Sequence, residues 1–325
     1  MKKRIAKILV CTMVLMISMT GCTKSNEEEK KEEGTEKGIK IVATLFPQYD
    51  FAREIAGEKA EVEMLMDPGV ESHTYEPTPA DIIEIGNSDL FIYTGENMEP
   101  WANTIIESID NKNVKVLDVS KGITLEKDGH DHDEHEEEAK EHEENKEHNH
   151  ELDPHIWTSP INAMKMVSNI VESLCEIDPD NSDYYKSNGD AYLEKLTNLD
   201  NSFKDLMKSA KRNKIIIGDR FAMNYFTEEY GIEWEAAFDS CAANSEPSVK
   251  VIKDLIEDIK EENIPVVYYC ELSNMKVAKS LQAETGVDIL ELHSCHTVTK
   301  EDFQSGITYI DIMTRNLENL KAGVN

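Results

Sequence analysis

The chain has 325 residues and carries 65 acidic against 34 basic side chains, a formal net charge of -31. That length accommodates one large domain or two ordinary ones. So negative a chain lacks the clustered Lys and Arg that binding nucleic acid requires; the charge suits a handler of cations, and equally a solubility device.

The opening segment, "MKKRIAKILVCTMVLMISMTGC", has Lys2, Lys3, Arg4 and Lys7 ahead of an apolar stretch from Ile8 to Met19. That stretch is too short for a stable span and reads as a signal peptide over residues 1–21. "MTGC" resembles a bacterial lipobox, with cleavage before Cys22 and lipid on its thiol. Such a lipid would hold the mature chain at the extracytoplasmic face of the cell membrane. Residues 22–38 offer nothing able to seed a core and read as a tether.

"IKIVATLF" is an apolar, β-branched run that predicts a buried strand, and "QYDFAREIAG" has helical spacing up to Gly57. A strand with a turn follows in "AEVEMLMDPG", and strands in "LFIYTG" and "NVKVLDVS", with a helix in "TPADIIEIG". Beyond residue 151, "SPINAMKMVSNIVESLCEID" predicts a helix with Ser159 as N-cap and Pro160 in the first turn. Tyr192, Leu196, Leu199, Phe203 and Leu206 then recur at three- and four-residue spacing, which marks a long amphipathic helix. The alternation restarts with strand "KIIIG" and runs through "EWEAAF", "PVVYYCEL" and "VDILELHS", separated by helices, to a single closing helix from "FQSGITYIDIM" onward. Strands alternating with helices predict an α/β fold with mostly parallel sheets. The expected organisation is one lobe over 39–178, a linking helix over 179–212 and a second lobe over 213–325.

Nine of the ten histidines divide in two. Six of them (His130, His132, His135, His142, His148 and His150) sit in an acidic run within residues 128–151. His73, His155 and His293 instead lie in loops next to strands or helices, where ligands of open α/β sheets bind. Any one of them alone would read as a structural histidine. Three at such positions point to a metal such as zinc or manganese. Four cysteines remain beyond the tether, Cys175, Cys241, Cys270 and Cys295, and their pairing cannot be read from spacing.

"ESHTYEPTPAD", "YTGENMEPW", "DPHIWTSPINAMKM", "SEPSVKVIKDLIEDIK" and "YIDIMTRNLENL", taken in order, resemble the metal-binding solute-binding proteins of zinc and manganese ABC transporters. The resemblance runs from about Ile39 to about Ala322. It implies two α/β lobes joined by a rigid helix, one metal in the cleft, no enzymatic activity, and an ABC permease with its ATPase as partners. It places His73 and His155 on the first two ligand positions and His293 on the fourth. The third falls in "IIIGDRFAMNYFTEEYG", where no His stands; Asp219 is the best-placed donor, with Gly218 or Arg220 able to occupy the family position. His296 is a further ligand candidate, and Glu71 a substitute for a water ligand. Cys241 and Cys295 could pair or offer thiolate. The acidic His run matches the His-rich loop of the zinc branch, which the manganese branch usually lacks, and reads as a zinc collector near the cleft. Its bland alternative is a solvated insertion without function.

Three other functions compete. A metallohydrolase would need an open coordination position and a general base, and no HExxH motif is present. A manganese carrier would favour oxygen donors. A metal-binding surface adhesin or buffer would use the same residues.

Overall fold

The computed structural model describes residues 38–109, 113–127, 152–238 and 247–325. The first lobe runs β1 (Ile39–Ala43), α1 (Phe46–Ala56), β2 (Ala60–Met64), α2 (Pro79–Gly86), β3 (Leu90–Tyr93), α3 (Ala102–Ser108) and β4 (Lys115–Asp118). Its four strands are parallel in the order β2-β1-β3-β4. Then come α4 (Pro160–Ile177) and α5 (Ser182–Ser209). The Ser159 hydroxyl accepts from Asn162 N and caps α4 as its sequence predicts. The second lobe runs β5 (Lys214–Ile217), α6 (Asn224–Tyr230), β6 (Glu233–Ala236), α7 (Val249–Glu261), β7 (Val266–Tyr269), α8 (Lys276–Thr285) and β8 (Asp288–Glu291). It ends with α9 (Lys300–Ser305) and α10 (Tyr309–Val324). Its strands repeat the first lobe's arrangement, β6-β5-β7-β8, again all parallel.

The closing helix expected from sequence is two. Gly306, at φ 75°, ends α9 in the left-handed region that a side chain disfavours. Thr308 and Asp311 then form a reciprocal capping box that starts α10 afresh. A periodic apolar pattern runs through both pieces, so periodicity alone could not see the break.

The 28-residue α5, about 42 Å long at 1.5 Å per residue, buries Tyr185, Tyr192, Leu196, Leu199, Phe203 and Leu206. One hydrophobic cluster contains this stripe together with Ile41 and Phe51 of the first lobe and Ile215, Tyr309 and Leu320 of the second. At its centre is Asp50 on α1, buried, with Oδ1 accepting from Arg53 (2.5 Å). Its Oδ2 accepts from Tyr192 OH of α5 (3.1 Å) and from Tyr309 N of α10 (2.8 Å). Arg53 also donates to Ile307 O at 3.1 Å. Burial pushes the Asp50 carboxyl up to about 6, against the pull of the Tyr309 N–H and of Arg53. Asp50→Ala would leave Arg53 and two further donors facing an apolar core. It should cost about 3–5 kcal/mol of unfolding free energy in urea titrations, the range for breaking a buried pair; a loss under about 1 kcal/mol would show that the junction does not tie the elements together.

A second buried carboxylate stops up the first lobe. Glu99 Oε1 accepts from Thr44 Oγ1 (2.5 Å), and its Oε2 accepts from Thr94 N (3.0 Å) and Gly95 N (3.2 Å). Burial raises it from 4.5 to about 7, although all these donors pull it down. The folded chain therefore keeps a proton on Glu99 in a range where the unfolded chain has released it. The unfolded state binds fewer protons there, so this contribution is complete below about pH 4.5 and is lost as pH rises to about 7. The neutral mimic Glu99→Gln should lack that slope, gaining about 3 kcal/mol on the unmodified chain between about pH 4 and pH 8. Parallel stability curves for the two proteins would refute the assignment.

Candidate metal centre

Three histidines meet between the lobes. His73 sits in a short 3-10 turn, Ser72–Thr74, that follows β2, and Glu71 caps it by accepting from His73 N at 3.3 Å. His155 stands at the head of another such turn, Ile156–Thr158. His296 lies in the loop between β8 and α9. One nitrogen from each of the three lies within 4.8 Å of the other two, and among the described residues this is the one such group of potential metal donors.

Asp153 fixes the orientation of His155. Its Oδ1 accepts from His155 N at 2.8 Å and lies 2.7 Å from His155 Nδ1. A proton on Nδ1 facing the carboxylate leaves the Nε2 lone pair pointing the other way. There His155 Nε2 lies 3.3 Å from His73 Nε2. Two nitrogens bound at about 2.0–2.1 Å to a tetrahedral ion are separated by about 3.3 Å, so the pair is already spaced for zinc. Tyr225 OH of the second lobe donates to Asp153 O at 2.6 Å and steadies the turn. Trp157 is fully buried behind the site, its ring 5.4 Å from His155 and 5.8 Å from His296 between centroids. Its Nε1 donates to Ser294 O at 2.8 Å, which ties the His155 turn to the His296 loop. Burial holds His296 well below its ordinary value, with His155, His73 and His293 adding in the same direction, so its imidazole is neutral and keeps a lone pair. Ser72 Oγ hydrogen-bonds to His296 Nε2.

The structure gathers some of the residues singled out from sequence and separates others. His73 and His155 come together, and the third partner is His296 rather than His293. His293 is turned into the second lobe. Its N donates to Asn316 Oδ1 (2.9 Å), its O accepts from Asn316 Nδ2 (2.7 Å), and its Nδ1 accepts from Cys295 N (2.9 Å). A residue two places past a strand is still held by the strand's frame; the cleft is reached only after Cys295, at φ 62°, turns the loop. Asp219 lies outside the three-His group but borders the same cavity as His73 and His296. Its Oδ1 accepts from Arg220 N at 2.9 Å, and its Oδ2 is buried without a hydrogen-bond partner. Cys295 carries a free thiol, and burial raises its pKa well above the ordinary value, which disfavours thiolate. Cys22, Cys241 and the six histidines from His130 to His150 lie outside the described residues. Asp153 escaped the sequence reading, although an acidic residue two places before a histidine was there to be seen in "DPHIW".

The cavity bordering His73 and His296 measures about 320 Å³ and is lined mainly by loops at the carboxyl ends of β5, β7 and β8. Among the described residues no helix is long and apolar enough to cross a membrane.

The sequence profile of the family described as "Zinc-uptake complex component A periplasmic", ZnuA, matches residues 41–323. The chain belongs to the ZnuA family. It is 34% identical over 314 residues to the high-affinity zinc uptake system protein ZnuA of Bacillus subtilis, covering 97% of this chain and 95% of that protein. It is 32% identical over 323 residues to the zinc-binding lipoprotein AdcA of Streptococcus pneumoniae. That match takes in 98% of this chain but 60% of AdcA, so the chain spans about three fifths of that relative's length. The Zn(II)-bound ZnuA-like domain of AdcA superposes with a TM-score of 0.73 at 31% identity, over 88% of this chain and 99% of the domain.

The Asp153 contact generates a prediction. Removing the acceptor behind a metal-ligating imidazole typically costs tenfold to a hundredfold in affinity. Asp153→Ala should therefore weaken zinc binding at least tenfold in competition with a chelating dye, with unchanged far-UV circular dichroism. Wild-type affinity in this variant would show that Asp153 does not position His155.

Proposed function

We propose that this ZnuA-family chain captures Zn²⁺ outside the cytoplasm and hands it to an ABC permease, powered by its ATPase, for import. The observation that carries the reading is the convergence of three imidazoles, two of them with Nε2 atoms 3.3 Å apart, from three separate loops. Nitrogen donors gathered in this way suit zinc; manganese prefers oxygen. The names of the B. subtilis and S. pneumoniae relatives, both given for zinc, support the same cargo. His73, His155 and His296 are the proposed ligands, and His293 is proposed to brace the loop that delivers His296.

Export and anchoring are proposed from the N-terminal sequence, with lipid on Cys22 holding the protein at the membrane. The name "lipoprotein" borne by the pneumococcal relative agrees. The 128–151 segment is proposed as an auxiliary collector that raises local zinc concentration by its charge.

Two measurements test this reading. His73→Ala, His155→Ala and His296→Ala should each weaken zinc binding at least tenfold, and the unmodified chain should bind zinc at least a hundredfold more tightly than manganese, as judged by competitive titration. Unchanged zinc affinity in all three variants, or equal affinity for the two metals, would defeat the proposal. Calorimetry on a chain lacking residues 128–151 should retain one tight zinc and lose only weaker equivalents. Loss of the tight equivalent would move the primary site into that segment.

A further inference from the structure

We infer that Glu271 is a positioning residue of the metal centre: its carboxylate sets the Ser294 hydroxyl, and through it the loop that turns His296 toward His73 and His155. This rests on the zinc reading above and extends it to a residue that stands outside the three-His group.

The first observation is a pattern shared by the three ligand turns. In each, a side-chain oxygen from two residues earlier holds the backbone N–H of the histidine. Glu71 Oε1 accepts from His73 N at 3.3 Å, and Asp153 Oδ1 accepts from His155 N at 2.8 Å. In the third turn Ser294 Oγ accepts from His296 N at 3.3 Å. A carboxylate only accepts, so at His73 and His155 the role of the oxygen is fixed by its chemistry. A hydroxyl can turn either its proton or its lone pairs toward an N–H, and serine needs a partner to settle which. Glu271 is that partner. Its Oε1 accepts from the Ser294 hydroxyl, which draws the proton away and leaves lone pairs for His296 N. Two residues here do what Glu71 and Asp153 each do alone.

The second observation is where this relay acts. The ladder that holds β8 reaches Leu292, whose N donates to Tyr269 O at 2.9 Å. Three residues on, Cys295 adopts φ 62°, a region that a side chain disfavours. Such a conformation persists only where its surroundings impose it. Ser294, just before it, is buried and held at three points. Its N donates to Glu271 Oε2 at 2.8 Å, its hydroxyl donates to Glu271 Oε1, and its O accepts from Trp157 Nε1 at 2.8 Å. Two of the three bonds end on Glu271. That residue follows β7, and its side chain is 8% exposed, so the acceptor is anchored outside the loop it holds. Without it the Ser294 N–H is buried and unpaired, the left-handed turn loses its main restraint, and His296 is no longer directed at the other two rings.

The test uses the mature chain and competition for zinc with a chelating dye. Glu271→Ala should lower zinc affinity about tenfold to a hundredfold, the usual cost of losing a partner behind a metal ligand. Because Glu271 acts through His296, the double variant Glu271→Ala/His296→Ala should bind zinc as His296→Ala alone does, within about threefold. Ser294→Ala keeps the backbone N–H; it should also weaken binding and should not add to Glu271→Ala. Glu271→Ala/Ser294→Asp puts a carboxylate two residues before His296, as at the other two turns, and should regain most of the lost affinity. Unmodified affinity in both Glu271→Ala and Ser294→Ala would overturn the inference. So would losses that add in Glu271→Ala/His296→Ala, which would mark Glu271 as a donor in its own right or a brace for the whole lobe. If Glu271→Ala does not fold, Ser294→Ala/His296→Ala is read against His296→Ala in the same way. These results leave the zinc reading standing, whereas failure of the unmodified chain to bind zinc would sink both.

Discussion

One buried carboxylate joins elements of both lobes. Asp50 belongs to the first helix of the first lobe, yet its oxygens are shared among its own helix, the long α5 and the start of α10. An acceptor-only group with no access to water must find all its donors within the protein. Here those donors come from three elements, α1, α5 and α10, which also pack in one hydrophobic cluster. Arg53 extends the same set of bonds to the carbonyl of Ile307, at the break between α9 and α10. The break thus supplies a free backbone N–H at Tyr309 and free carbonyls before it, which an unbroken helix would have used internally.

The candidate metal centre lies between these lobes. None of its three histidines lies within an α-helix or a strand; each sits in a short turn whose ends are tied to the frame. Asp153 orients one ring, Glu71 caps the turn of another, and the Trp157 indole bridges the two loops that carry His155 and His296. His296 packs against the other two rings and against the indole without a charge to desolvate, because burial holds it well below its ordinary value. A cation entering such a pocket finds three nitrogen donors already gathered within 4.8 Å of one another.

Much of this could be read from the chain. The two α/β lobes followed from alternating strands and helices, and the long helix from its three- and four-residue spacing. His73 and His155 stood out because each occupies a loop flanked by regular structure. What could not be read was set by backbone geometry. His293 and His296 are three residues apart in one loop, and proximity to the strand made His293 the natural choice. Only the left-handed turn at Cys295 decides which ring faces the cleft. The same applies at Gly306, where one residue outside the helical region overrides an unbroken apolar period. Asp219 and Arg220 raise a related difficulty: sequence marks them as cleft residues, but whether a side chain meets an ion or another residue depends on partners far away in the chain, such as Glu71.

The bridge between Lys127 and Leu152 has a bearing on how such proteins diversify. It pins the two ends of the 24-residue segment 128–151 side by side, just outside the Asp153 and His155 turn. Whatever path that segment takes, it leaves and re-enters the fold through one fixed gate. Closing a longer loop across a fixed gap adds only about 0.6 kcal/mol per doubling of length. Insertions, deletions and changes of composition there are consequently almost invisible to folding. The length and composition of this segment can therefore change while the turn that carries Asp153 and His155, a few residues away, keeps its geometry.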